Sequence, residues 1–478
     1  MVWSQIEPTA PHLTYIVLST FLILYALFDL FIRNRLHLSE PPLATAVGII
    51  FGPKGAGILH PEHWGIDDVF MQEFTRIILG IQCFAVGIEL PPHWFSQHWR
   101  SVAYMLGPVM AYGWIVCAVF IHFVLNIDFV TSLIIAACLT PTDPILAASV
   151  LSNSQFSTRV PERLKNLLSA ESACNDGASF PFIYVGLSIL TRTTVRGILG
   201  KWFFITILWQ CIFGAFLGLI IGQVANRILR FVHDKEMIGS ASYLIFYLLA
   251  AVFCTGVAST LGTDDFLLAF SAGIGFARDG WFRERTAEAR IAEIIDLLLN
   301  STMFVYFGSI IPWSSFTMKS ELFRINPGLL LGLLVLVLLF RRIPVVFTLQ
   351  PLIKDIQTRR EALFAGHFGP IGIGALFLAI ESRAQLETDS SEPLPHPPGD
   401  LPLRRQRAVE VIWPVVCFVV LGSTMVHGLS TLAISVGSHY SRKEGERAPL
   451  IGGERERFAG MIHEEIEEEE EEAGDCAY

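Results

Sequence analysis

Apolar runs, each close to the length that crosses a bilayer, recur from one end of the chain to the other and are separated by short polar or charged stretches. A spanning helix needs about 20 largely apolar residues. Segments of that kind fall at 12–32, 41–59, 70–90, 101–125, 128–151, 165–190, 202–229, 240–260, 262–279, 291–312, 326–350, 361–381 and 410–436. The pattern predicts an all-α polytopic membrane protein with 13 transmembrane helices, filling residues 1–436. An odd number of crossings puts the two termini on opposite sides.

Two of these segments interrupt themselves. The fifth carries Thr140-Pro141-Thr142-Asp143-Pro144, and the twelfth carries Gly366-His367-Phe368-Gly369-Pro370-Ile371-Gly372. Proline removes a backbone donor and clashes with the preceding turn, and glycine tolerates the unwound chain that results. Such backbone survives at membrane depth only inside protein or against a wet cavity. The breaks occupy corresponding places in the two halves, the mark of an inverted repeat around a midplane site. Two ordinary proline kinks would explain either break alone, but not both together with the acids beside them.

Those acids are the main chemical signal. Asp143 lies in the first break, and the next segment, KNLLSAESACNDGASFPFIY from Lys165, holds Glu171, Asn175 and Asp176. A charge in a bilayer is costly and marks a pathway or a partner. On a helix Glu171 stacks with Asn175, and Ser172 with Asp176, giving a polar face too wide to look at lipid. Carboxylate oxygens suit hard cations such as Na⁺ and Li⁺, and burial disfavours a carboxylate's charge and so favours its proton. One carboxylate can hold either, the minimum for exchange. Asp143 reads equally as a ligand or as compensation for the positive end of the following half-helix, with Thr142 supplying neutral oxygens. Asp264 and Asp265 open the ninth segment as N-caps or as a vestibule that gathers cations.

Arg341 and Arg342 interrupt the eleventh segment. Snorkelling at a helix end would suit both. However, the apolar residues between Arg342 and Lys354 argue for one arginine inside, where Glu171 is the available acid. His367 is a possible pH-sensing group, but a lone histidine is more often simply hydrogen bonded.

Composition sharpens the picture little. The chain is 52% hydrophobic and 16% charged, against about a quarter charged in soluble domains. Of its formal net charge of −10, nine units come from the eight Glu and one Asp of 464–475. The body is thus near neutral, and 437–478 reads as an acidic, disordered tail. Seven of the eight cysteines sit singly in apolar segments without metal spacing, so they read as packing residues. The first apolar stretch can span and lacks a basic lead-in, so no cleavable signal peptide is expected. Sixteen Lys and Arg lie in one set of loops and ten in the other. The richer set should be cytoplasmic, with the N-terminus outside, the tail inside and the Pro-rich loop 383–408 extracellular. No cofactor and no nucleic-acid partner is implied, nor any nucleophile with an attendant base.

Six strings carry a resemblance: LTPTDPILA from Leu139, ESACNDG from Glu171, GTDDFLLAFSAGI from Gly262, IIPW from Ile310, RRIPVVF from Arg341 and EALFAGHFGPIG from Glu361. Together they resemble the fungal plasma-membrane sodium/proton antiporters, of the monovalent cation:proton antiporter family, in order along the chain. The resemblance implies inverted repeats with two crossed interrupted helices, a core part and a dimerisation part, a homodimer, and alternating access by an elevator-like movement. It implies cation ligands at Asp176, Thr142 and Ser172, with Glu171 close by. It also implies a helix-end partner at Asp143, a structural Asn175, and a buried arginine best matched by Arg341, with Arg342 possible. Asn175 stands where bacterial electrogenic relatives have Asp, and the tail is short beside those of some budding-yeast members, so neither a second titrating acid nor tail regulation carries over. The expected function is export of Na⁺ and Li⁺ in exchange for H⁺. A K⁺/H⁺ exchanger of the same fold and, from another class, a cation channel are the alternatives.

Overall fold

The computed structural model describes residues 8–441 apart from 35, 37, 145–159, 192–193, 287–290, 319–323, 395–397 and 399. Its helices are α1 Ala10–Asn34, α2 Glu40–Phe51, α3 Asp68–Glu89, α4 Trp94–Leu125, α5 Phe129–Cys138, α6 Glu162–Ala178, α7 Phe180–Thr191 and α8 Val195–Asp234. They continue with α9 Ser240–Leu261, α10 Asp265–Phe276, α11 Ile291–Ile310, α12 Pro327–Phe340, α13 Ile343–Leu349, α14 Arg359–His367, α15 Ile373–Thr388 and α16 Leu403–Ser441. Every segment expected from the hydrophobic pattern contains helix. Six helices among the described residues are long and apolar enough to cross a membrane unaided: α1, α3, α4, α8, α16 and the run Pro327–Leu352. The others are shorter or broken, so composition and length do not establish the expected count of thirteen.

Local chemistry starts the helices where the chain needs them. Asp67 caps α3 by accepting from Phe70 N–H at 3.0 Å, and Asp128 caps α5 through Thr131 N–H at 3.1 Å. Thr358 and Glu361 have the spacing of a capping box, and Thr358 Oγ1 accepts from Glu361 N–H at 3.1 Å. Within α4 the turn widens at Met105–Val109, around Pro108, the usual response to a proline in a helix interior.

The helices form two groups. In one, α2 packs on α11, and α3 and α8 pack on α10. These contacts rest on missing side chains: a Cβ at Gly87 would lie 2.9 Å from Gly273 Cα, and one at Gly222 would lie 2.0 Å from Ala272 O. Small residues let backbones approach where lipid removes the usual hydrophobic drive between helices. In the other group, α4, α5 and α7 pack together, α12 lies on α4, and α15 lies on α16. Helix α6 joins the groups by touching α3, α10 and α4, and the groups meet directly where α3 touches α15 and α2 touches α16.

Two boundaries differ from expectation. Helix α15 continues to Thr388 and α16 begins at Leu403, so the connection is 389–402 rather than 383–408. Helix α16 runs to Ser441, five residues past the expected start of the tail, and 442–478 lie outside the described residues.

Candidate functional site

Both interrupted segments break where proline and glycine forecast, and the breaks touch. Helix α5 ends at Cys138, and α14 and α15 are separated by the unwound stretch 368–372. Asp143 N–H donates to Pro370 O at 2.8 Å, joining one unwound stretch to the other. Ile371 N–H donates to Ser423 Oγ of α16 at 2.8 Å. The guanidinium of Arg341 donates to the carbonyls of Leu139, Thr140 and Pro141 on one side and of Gly369 on the other. Backbone groups freed at membrane depth must find partners, and this is where these go.

Arg342, not Arg341, takes the buried acid. Its Nη2 donates to Glu171 Oε2 at 2.6 Å, its Nη1 donates to Oε1, and its Nε donates to Ala365 O at 2.8 Å. The expected Arg341–Glu171 pairing is therefore corrected. Arg341 follows α12 still in helical conformation, with φ −59°, whereas Arg342 leaves it, with φ −131°. That turn sends neighbouring side chains in different directions. Both are buried at 5% exposure.

Asp143 partners a helix end. Its Oδ2 accepts from Ile373 N–H at 3.0 Å, so it caps α15 of the crossing segment. The half-helix that follows Asp143 in sequence falls in 145–159, outside the described residues.

Helix α6 supplies the remaining polar groups. Thr142 N–H donates to Asn175 Oδ1 at 3.2 Å, and Asn175 Nδ2 donates to Thr142 Oγ1 at 2.7 Å. Thr142 Oγ1 stands 2.9 Å from Ser172 Oγ. Asn175 thus clamps the unwound chain, and hydroxyl lone pairs remain to meet a cation. Asp176, one helical turn beyond Ser172, is 1% exposed, and neither carboxylate oxygen has a hydrogen-bond partner among the described residues. A Cβ at Gly374 would lie 2.0 Å from Asp176 Oδ1. The carboxylate therefore packs on the first turn of α15, whose positive end favours an anion. A cavity of about 10 Å³ beside Glu171, Asn175 and both arginines has room for about one water.

Asp264 is the N-cap of α10, accepting from Phe266 N–H at 3.0 Å and Leu267 N–H at 2.9 Å. It also presses on Gly177, where a Cβ would meet its Oδ1 at 2.5 Å, so it adjoins the Asp176 turn. Asp265 accepts from Ser259 Oγ at 2.7 Å and faces Arg76 Nε at 3.4 Å. His367 Nε2 lies 3.3 Å from Ser430 Oγ.

Sequence reasoning missed Glu381, 3% exposed on α15, which accepts from Gln72 Nε2 at 2.9 Å, Ser391 Oγ at 2.8 Å and Gln385 Nε2 at 3.1 Å. Nearby Arg383 bridges Asp68 at 2.9 Å and Glu387 at 3.5 Å. The four-residue spacings Glu381–Gln385 and Arg383–Glu387 were the available signal.

Residues 17–436 match the family model of the transmembrane sodium/hydrogen exchanger. The chain belongs to the sodium/hydrogen exchanger family. This agrees with the family read from the motifs. It is 42% identical over 439 residues to a probable Na⁺/H⁺ antiporter of Schizosaccharomyces pombe, covering 91% of this chain and 58% of that protein. It is 43% identical over 446 residues to Na⁺/H⁺ antiporter 2 of Zygosaccharomyces rouxii, covering 92% and 55% respectively. The chain thus spans a little over half the length of these two relatives. In fold it is similar to the sodium proton antiporter MjNhaP1 of Methanocaldococcus jannaschii, with a TM-score of 0.59 at 16% identity, over 86% of this chain and 97% of that one.

Proposed function

We propose that this family member exchanges Na⁺, and Li⁺, for H⁺ at a plasma membrane, through one site centred on Asp176. The observation that carries the reading is a fully buried carboxylate with no partner of its own among the described residues. It lies beside paired hydroxyls, at the crossing of two broken helices. Asp176, Thr142 and Ser172 supply the oxygens that a hard cation replaces water with. Glu171 is held by Arg342 and supports the site; Asn175 and Arg341 brace the unwound backbone, and Asp143 caps α15. Protonating Asp176 removes the ligand charge, so cation and proton compete, and alternating access carries one out and the other in. No cofactor takes part.

The homodimer, the outside N-terminus and the cytoplasmic C-terminus stay part of this reading, which rests on the resemblance and the loop charges. The exposed apolar surface of α1, where only 6% of the spanning window is buried, supports contact with lipid or a second copy.

The test is sodium uptake into vesicles driven by an imposed pH gradient. Raising proton concentration on one face should raise the apparent KM for Na⁺ there and leave the maximal rate little changed. A KM indifferent to pH would overturn the shared carboxylate. Uptake that ignores the pH gradient would favour a channel, and a preference for K⁺ would favour the potassium exchanger.

A further inference from the structure

Away from the crossing, a second polar cavity of about 290 Å³ opens where α8, the end of α10 and the turn between α3 and α4 meet. Arg227 and Arg230 reach it from α8, Arg278 from the turn after α10, and His93 from the α3–α4 turn. Asp279 is the acid at this cavity, and it is already engaged. Arg230 pairs with it, Asn226 Nδ2 donates to it at 3.0 Å and Trp281 N–H at 3.2 Å. Partial burial works against its charge, but these donors hold it below the usual carboxylate range. It therefore stays ionised and neutralises Arg230. Arg227 and Arg278 face the same cavity and have no acidic partner among the described residues.

The position along the helices sets the depth. Arg227 is the first charged residue after an uncharged run of α8 that begins past Lys201, and Arg278 is the first after Asp265 at the start of α10. Both guanidiniums therefore stand where the apolar body of a helix gives way to the interface. The cavity also continues inward. A second cavity of about 310 Å³ shares His93, Gln223, Gly275 and Arg278 with it, and its far wall is Leu90, Trp94, Phe95, Leu219 and Ile274. A cationic mouth thus leads into an apolar slot.

We propose that this pair of cavities binds an anionic phospholipid, its phosphate between Arg227 and Arg278 and an acyl chain along the slot. Guanidiniums grip phosphate oxygens in bidentate fashion, and basic pockets between membrane helices suit anionic headgroups. A free phosphate ion would leave the apolar slot unfilled, which is why the lipid is the committed ligand. The pocket touches the turn that leads from α3 into α4, so an occupant braces that connection.

The experiment uses the full-length protein in neutral detergent, with thermal melting read against added phosphatidylserine, phosphatidylcholine or inorganic phosphate. Phosphatidylserine should raise the melting temperature, and added salt should weaken the effect. Arg227→Gln/Arg278→Gln should shift the phosphatidylserine titration to higher concentration, by on the order of fivefold per arginine removed. The Arg→Lys pair should fall between wild type and the Gln pair, because the charge remains while the bidentate grip is lost, and Lys354→Gln should leave binding unchanged. Sodium–proton exchange by the Gln pair in phosphatidylcholine vesicles should match wild type, which establishes that the variant is folded. An unchanged phosphatidylserine titration in a folded Gln pair would overturn the site. Equal stabilisation by inorganic phosphate would assign the mouth to a free anion and overturn the lipid.

Discussion

Asp143 and Asp176 lie on either side of one crossing and both press on the first turn of α15, yet their surroundings differ. Asp143 closes the N-terminus of that helix and its own N–H ties the two breaks together. Asp176 has nothing donating to it among the described residues. The two arginines divide in the same way, one spent on backbone carbonyls and the other on Glu171. Among the described residues, every charge at the crossing but that of Asp176 has fixed work in holding the broken helices. On the proposed function, the charge left over is the one that changes partners during transport.

The largest expected effect comes from removing that one. Asp176→Asn keeps the shape and should abolish sodium-dependent proton movement in vesicles, with melting close to wild type. Normal exchange by this variant would erase the distinction between the two acids.

Next come the arginines. Arg342→Ala strands Glu171 in the interior and should cost about 3–5 kcal/mol of stability, with part recovered in Arg342→Ala/Glu171→Ala. Arg341→Ala should also destabilise, but adding Glu171→Ala should recover nothing, because its partners are carbonyls. Melting of the four variants forms the double-mutant comparison. Equal recovery in both backgrounds would mean that the arginines are interchangeable.

Two glycines separate the acids more finely. A Cβ at Gly374 would fall 2.0 Å from Asp176 Oδ1, and one at Gly372 would fall 2.0 Å from Asp143 Oδ2. Gly374→Ala should displace the free carboxylate at about 0.5–1.5 kcal/mol, a rise in KM for Na⁺ of up to about tenfold, with little change in melting. Gly372→Ala should disturb the cap and lower stability by about 0.5–2 kcal/mol. The reverse pattern, seen in melting curves and uptake kinetics, would exchange the roles assigned to the two aspartates.

The smallest effect is on selectivity. Thr142→Ala removes one neutral oxygen and should change the ratio of apparent affinities for Na⁺, Li⁺ and K⁺ by a few-fold, because cavity size and ligand number set such preferences. Parallel changes for all three ions would remove Thr142 from the ligand set.

Much of this was legible in the chain because it depends on local chemistry. Proline and glycine announce where α5 and α14 must stop, and a helix carrying Glu171, Ser172, Asn175 and Asp176 on one broad face has to turn it inward. What could not be read is long-range or directional. The hinge at Arg342 decides which guanidinium reaches Glu171, and spacing alone makes adjacent arginines equivalent. Asp143 reads from its spacing equally as a ligand or as compensation for the next half-helix, and nothing local announces that the crossing brings it α15. Glu381, at the end of the twelfth segment, and Arg383, at the start of the loop, carry no local signal of their role, because their partners Gln72 and Asp68 come from α3, far away in sequence.

The crossing also has a consequence for how the chain is made. The bond from Ile373 to Asp143 spans 230 residues, that from Arg341 to Leu139 spans 202, and that from Arg342 to Glu171 spans 171. During synthesis α6 must therefore enter the bilayer long before its counter-charge has been translated. Closing contacts of such separation is slow, and the intermediates that wait for them are exposed to misassembly. A nascent chain stopped before residue 341 would hold Glu171 and Asp176 in the membrane with neither arginine present. The same remote bonds that hold the finished crossing together make the first half of the chain dependent, at birth, on the arrival of the second.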